Sequence, residues 1–134
     1  GLRDGTIDAI CSSHQPIPSH EKNIEFDLSP AGVLGLSTAL SSVYKALSNY
    51  CDEKETLSVI TGTMSTAPSN IMGLGKGGIE EGKKADLTIY DPQKNWIYTP
   101  TEDCSEIINS PFEGKTITGR VETTFANGKL IHTI

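Results

Sequence analysis

The sequence predicts an α/β architecture, in which one strand, loop and helix unit is followed by short helices and then by a small antiparallel β assembly. Three observations carry this. The stretch Thr6-Ile7-Asp8-Ala9-Ile10-Cys11-Ser12-Ser13-His14-Gln15-Pro16-Ile17 begins as an apolar run rich in β-branched residues and ends in small polar residues, one imidazole and a proline, the pattern of a buried strand delivering a loop. Val33, Leu36, Leu40, Val43, Tyr44 and Leu47 then recur at helical spacing. From Ile79 onward the apolar period changes to two.

The first element matters most, because in parallel α/β folds chemistry sits just beyond the carboxyl end of a strand. After it, Pro18-Ser19-His20-Glu21-Lys22-Asn23 is polar and aperiodic and reads as a surface loop with a solvated His20. Ser29-Pro30 offers an N-cap followed by a first-turn proline, so the helix is expected from there to about Ser48. Gly32 and Gly35 weaken that start, each costing ~1 kcal/mol against Ala, which points to close backbone approach. Cys51-Asp52-Glu53-Lys54-Glu55 reads as a charged connector. Thr56-Leu57-Ser58-Val59-Ile60-Thr61-Gly62-Thr63-Met64 has strand propensity, yet Leu57, Ile60 and Met64 sit at i, i+3 and i+7, and we expect helix.

Pro68-Ser69-Asn70-Ile71-Met72-Gly73 is a short helix opened by proline and closed by glycine. Gly73-Leu74-Gly75-Lys76-Gly77-Gly78 satisfies G-x-G-x-x-G, but a helix precedes it and a strand follows, the reverse of the order a dinucleotide site needs. Ala85, Leu87 and Ile89 alternate with Asp86, Thr88 and Tyr90, and Asp91-Pro92 is expected to end that strand. Trp96-Ile97-Tyr98 is a second candidate. Val121, Thr123 and Phe125 lead into Asn127-Gly128, a strong hairpin signal, with Leu130 and Ile131 on the return.

Bulk properties exclude several function classes. At 134 residues, 36% hydrophobic and 21% charged, the chain has the composition of a globular domain. A formal net charge of -6 and the absence of a basic run argue against nucleic acid or an anionic membrane as partner. No uncharged apolar stretch is long enough for a membrane span, and Arg3 and Asp4 interrupt the start in a way no signal peptide does, so a cytoplasmic location is expected. Cys11, Cys51 and Cys104 are odd in number and far apart, which suggests reduced structural thiols. A start without Met on Gly1-Leu2-Arg3-Asp4-Gly5 reads as mid-helix, whereas the end at Ile134 reads as a natural terminus.

Several of these motifs resemble one family. Gly5-Thr6-Ile7-Asp8 and the following Ser12-Ser13-His14-Gln15-Pro16-Ile17 resemble the last barrel strand of dihydroorotase, a metal-dependent amidohydrolase, whose pattern ends roughly in Thr-Asp-His-Ala-Pro-His. Ser29-Pro30-Ala31-Gly32-Val33-Leu34-Gly35-Leu36-Ser37-Thr38-Ala39-Leu40 resembles its Pro-x-Gly-x-x-Gly-Leu-Glu-Thr-Ala-Leu segment. Gly78-Ile79-Glu80-Glu81-Gly82-Lys83-Lys84-Ala85-Asp86-Leu87-Thr88 and Asn109-Ser110-Pro111-Phe112-Glu113-Gly114 are similar to its carboxyl end. Together the matches span nearly the whole chain.

By this resemblance the chain is the carboxyl-terminal part of a TIM-like (β/α)8 barrel, its last strand and helix, plus an appended antiparallel β domain. Residues 1–75 would hold the last βα unit with the short helices, and residues 76–134 the β-domain segment. A complete barrel needs about 250 residues, so most of it lies outside this chain. The whole protein would interconvert N-carbamoyl-aspartate and dihydroorotate in pyrimidine synthesis. Main-chain groups around Pro30, Ala31 and Gly32 would contact the cyclic amide, or that segment is a helix start that merely packs tightly.

The resemblance also implies zinc, held mainly by histidines of earlier strands, while this chain offers only His14, His20 and His132 and no metal-type spacing. The family's catalytic aspartate falls on Ser13 and its final histidine on Ile17. A neutral hydroxyl is a poor base near neutral pH, and losing a proton carrier typically costs ~10²–10⁴-fold, so an impaired enzyme is expected. The alternative is a non-catalytic homologue that assembles with aspartate transcarbamoylase. Other expected partners are the remainder of its own barrel and further copies in a homo-oligomer. Serine-nucleophile chemistry at Ser12-Ser13-His14 is disfavoured, because neighbours on a strand face opposite ways and no G-x-S-x-G elbow exists.

Overall fold

The expected change of period is reproduced, since helices occupy the first part of the chain and an antiparallel sheet the last. A computed structural model describes residues 1–100 and 109–134. Cys104 lies outside them. The elements are α1 (Ser19–Lys22), α2 (Leu36–Leu47), α3 (Glu53–Thr61), a π-helical turn (Gly62–Thr66), α4 (Ala67–Ile71), and strands β1 (Leu87–Ile97), β2 (Thr116–Ala126) and β3 (Lys129–Thr133). The sheet has the order β1-β2-β3 with both pairings antiparallel.

Residues 6–17 do not form the expected strand. A strand is a pairing state, and among the described residues no partner lies along either edge of this extended segment. It is held instead by isolated bonds, with Ile10 N–H donating to Thr63 O at 3.0 Å and Gln15 N–H to Val33 O at 3.0 Å. Pro18 is followed by one helical turn rather than by loop.

Helix α2 starts at Leu36, six residues after Pro30. Gly32 has φ +143°, which no helix allows, and a Cβ there would lie 2.8 Å from Gln15 O. The close approach expected of this glycine is therefore real. The buried side chains of α2 are Thr38, Ser41 and Tyr44, while Leu36 remains 65% exposed. The face toward the sheet is thus rotated from the apolar stripe, and Ser41 Oγ donates to Gly119 O at 2.6 Å.

The ambiguous stretch after Thr56 is helical, and the connector before it explains why. Asp52 is the N-cap of α3, its carboxylate accepting from Glu55 N–H at 2.8 Å, with Glu53 and Glu55 in the first turn at the positive end of the helix dipole. Capping overrides the β-branched propensity of Thr56, Val59 and Ile60. The proline-opened α4 continues the same path.

Asp91-Pro92 bends the strand without ending it. The register of β1 on β2 shifts between Asp91 and Asn95, where Gln93 N–H donates to the Asp91 carboxylate at 2.9 Å. A bulge tolerates proline because no ladder bond is demanded there. Trp96 and Ile97 therefore belong to β1. Asn127 and Gly128, at φ +50° and +78°, make the two-residue turn between Ala126 and Lys129. Asp86 braces it, accepting from Asn127 N–H at 2.7 Å and from Lys76 Nζ at 2.8 Å.

Leu34 and Tyr98, each 1% exposed, are the most buried large apolar side chains among the described residues. Gly119, the point on β2 that α2 reaches through Ser41, has φ +88°. Its carbonyl also accepts from Trp96 Nε1 at 3.0 Å, and a Cβ would fall on the Tyr90 hydroxyl. Elsewhere large apolar side chains lie open, with Phe26 98% and Ile79 88% exposed. No helix is long and apolar enough to cross a membrane among the described residues.

Candidate active-site loop

Ser13 lies in irregular chain and not on a strand. Its φ of +48° is a left-handed conformation that non-glycine residues seldom adopt, and Ser12 Oγ accepts from His14 N–H across it at 3.3 Å. Ser13 and His14 are both exposed. The imidazole is directed to the main chain: His14 Nδ1 accepts from Gly35 N–H and from Leu36 N–H, each at 3.2 Å. Nδ1 is thereby committed, so the ring is unsuited to activate a neighbouring serine through that nitrogen.

The segment that contains Pro30, Ala31 and Gly32 is gripped from three directions. Lys22 Nζ donates to Pro30 O at 2.6 Å. Asn109 Nδ2 donates to Gly32 O at 2.9 Å, and Leu34 N–H returns a bond to Asn109 O at 2.7 Å. Gln15 N–H takes Val33 O. The carbonyls of Pro30, Gly32 and Val33 thus each have a protein donor, whereas Ala31 N–H, Ala31 C=O and Gly32 N–H have no hydrogen-bond partner among the described residues. Adjacent main-chain donors and acceptors of this kind match the N–H and C=O edges of a cyclic amide.

The structure brings Gln15 and Ile17 against Gly32, whose carbonyl Asn109 holds, and no contact of Ser13 with this segment is found among the described residues. Ile17 is 7% exposed, and its Cγ1 is among the atoms nearest to Gly32. It fills space as a core residue. His20 lies apart, 82% exposed and 3.8 Å from the Glu21 carboxylate. Sequence reasoning missed Lys22, Asn109 and the capping role of His14. The motifs around Asn109 and His14 were visible, but which main chain they grip is a matter of tertiary structure, and Lys22 carried no signal.

A zinc ion finds no donor set here. Among the described residues no group of three His, Cys, Asp or Glu side chains comes together, and Ser13 supplies no anionic oxygen at the position where the resemblance places one. Cys11 and Cys51 are free thiols, and desolvation, aided by the Glu55 carboxylate, pushes the Cys51 thiol up and away from reactivity.

Comparison with known proteins gives this geometry a context. The chain is 45% identical over 131 residues to a dihydroorotase of Elusimicrobium minutum and 40% identical over 131 residues to one of Chlorobaculum tepidum, covering 96% and 98% of this chain. It spans 29% of the length of each of those relatives. Among solved structures it resembles the L-hydantoinase (dihydropyrimidinase) of Arthrobacter aurescens, with TM-score 0.83, 26% identity and 98% of this chain against 30% of that one. The D-hydantoinase (dihydropyrimidinase) of a Thermus species matches with TM-score 0.80, 25% identity and the same coverage. The model of the amidohydrolase family matches residues 1–131, and the chain accordingly belongs to that family.

Proposed function

We propose that this chain is the carboxyl-terminal part of a dihydroorotase-like amidohydrolase, comprising the last βα unit of a (β/α)8 barrel within residues 1–75 and an appended β-domain segment within residues 76–134. The reaction is reversible hydrolysis of a cyclic amide. Water oxygen adds to the ring carbonyl carbon, the C–N bond breaks and the nitrogen takes a proton, which converts dihydroorotate to N-carbamoyl-aspartate in pyrimidine synthesis. The observation that carries the reading is the gripped segment at Pro30, Ala31 and Gly32, whose main-chain groups beside Ala31 stay available to a cyclic amide. The identity to dihydroorotases over nearly the whole chain supports the choice of substrate.

In this copy the proton carrier is missing. The Ser13 hydroxyl neither takes up nor gives up a proton readily near neutral pH, which costs ~10²–10⁴-fold in rate. Zinc in the whole protein would be held by residues other than those described here. A cytoplasmic enzyme that forms a homo-oligomer and contacts the remainder of its own barrel completes the reading. Nucleic acid and membrane are not among its partners.

A second reading is favoured by Ile17. A buried aliphatic side chain stands where the resemblance places a histidine, so two polar groups are lost together, as in a homologue kept as a structural partner of aspartate transcarbamoylase. The test uses the full-length protein as wild type, Ser13→Asp, and Ser13→Asp with Ile17→His, and measures zinc content beside dihydroorotate hydrolysis. Zinc in all three with turnover rising on substitution supports the impaired enzyme. Absence of zinc and of turnover throughout supports the structural partner.

A further inference from the structure

Helix α2 begins on a residue that cannot cap it. A helix leaves its first four N–H groups without intrahelical partners, and a side chain at the N-cap normally accepts from them. The N-cap here is Gly35, which has no side chain. The missing acceptor comes from 21 residues earlier, where His14 Nδ1 takes Gly35 N–H and also Leu36 N–H, both at 3.2 Å. An imidazole nitrogen that accepts is deprotonated, so a neutral ring carries its proton on Nε2. The ring's own backbone is set in turn by the Ser12 Oγ bond to His14 N–H.

We infer that His14 is a positioning residue, whose Nδ1 holds the start of α2 and thereby the stance of the main chain at Pro30, Ala31 and Gly32 that meets the cyclic amide. For the identity of that ligand the inference rests on the proposed function, whereas the clamp itself rests on the hydrogen bonds. The next residue supports it, because Gln15 N–H joins the same two segments through Val33 O at 3.0 Å. A protonated imidazole accepts nothing and would set a cation against the positive end of the helix. Residues 29–36 carry no charged side chain, Asn109 is neutral, and the Lys22 ammonium of α1 is bound to Pro30 O.

The test compares full-length wild type, His14→Ala and His14→Asn by amide hydrogen exchange at Gly35 and Leu36 between pH 5 and 8, corrected for intrinsic exchange, and by calorimetric titration with dihydroorotate. At pH 8, exchange in His14→Ala should rise roughly three- to tenfold, the scale of a lost cap, and dihydroorotate affinity should fall with it. His14→Asn keeps a carbonyl acceptor that does not titrate. It should recover part of the protection and lose the acid sensitivity that wild type shows.

Equal protection in wild type and His14→Ala would overturn the inference, and so would wild-type protection that ignores pH. Should His14→Ala fail to fold, the pH comparison between wild type and His14→Asn decides alone. Acid-sensitive protection in a wild-type protein that binds no dihydroorotate would sustain the clamp and refute the proposed substrate.

Discussion

Asn109 and Gly32 are joined across the molecule, with Asn109 Nδ2 donating to Gly32 O at 2.9 Å while Leu34 N–H donates to Asn109 O at 2.7 Å. This pair ties the segment leading into β2 to the candidate substrate segment. Asn109→Asp keeps the size and the main-chain bond but turns the donor into an acceptor facing a carbonyl. It should cost about 1–2 kcal/mol and lower the affinity for dihydroorotate more than Asn109→Ala does. Thermal unfolding and calorimetry of the full-length protein measure both, and an Asp variant bound as tightly as wild type would refute the link.

Tyr90 and Gly119 press on each other inside the sheet. The Tyr90 hydroxyl is buried with no hydrogen-bond partner among the described residues, and desolvation pushes its ionisation up to about 12. Removing an unsatisfied hydroxyl avoids a desolvation penalty of about 1 kcal/mol, so Tyr90→Phe should match or exceed wild type in Tm. Gly119→Ala should do the opposite, by about 2 kcal/mol or more, because its Cβ meets the Tyr90 ring and its φ is +88°.

The same tyrosine sets an alkaline limit. With its ionisation raised in the folded state to about 12 from the ordinary 10.0, the folded form binds the extra proton between those values. The stability linked to Tyr90 is present below pH 10 and falls as pH climbs toward 12. Ultraviolet titration should show late-ionising tyrosine, Tyr44 being raised as well by its burial, and the latest part of the signal should be lost in Tyr90→Phe.

Asp86 acts at the acid end. The Lys76 ammonium first, and the Asn127 N–H second, hold its carboxyl below the usual range. A depressed carboxylate stabilises the fold above its unfolded value and stops doing so as pH falls through the folded one. Melting curves from pH 6 to 2 should therefore lose less stability on acidification in Asp86→Asn than in wild type, with the variant starting lower at pH 6.

Residues 1–134 expressed alone should associate. Phe26, Met72 and Ile79 are 98%, 70% and 88% exposed, and the extended segment at residues 6–17 has no strand on either side among the described residues. Open apolar surface and bare edges both invite partners. Light scattering should find oligomers that bind a hydrophobic dye, and a monomer with a sharp cooperative melt would contradict this.

The sequence by itself determined what is decided within a few residues. Asn127-Gly128 specified the hairpin because those two residues tolerate positive φ, and helical spacing located α2, though not its first turn. Asp52 and Glu55 held the signal that settles α3 as helix, although they read as a charged connector. Tertiary structure decided what needs a distant partner. Thr6 to Ile17 is strand-like in composition, yet strand pairing requires neighbours. Asp91-Pro92 became a bulge because β2 runs on past it, and α2 turned Thr38 and Ser41 inward because Gly119 offers a carbonyl there. The clamp of His14, Gln15 and Asn109 on residues 32–36 joins groups up to 77 residues apart. Local propensity carries no record of such contacts, because their energy appears only once the chain has closed the loops between them.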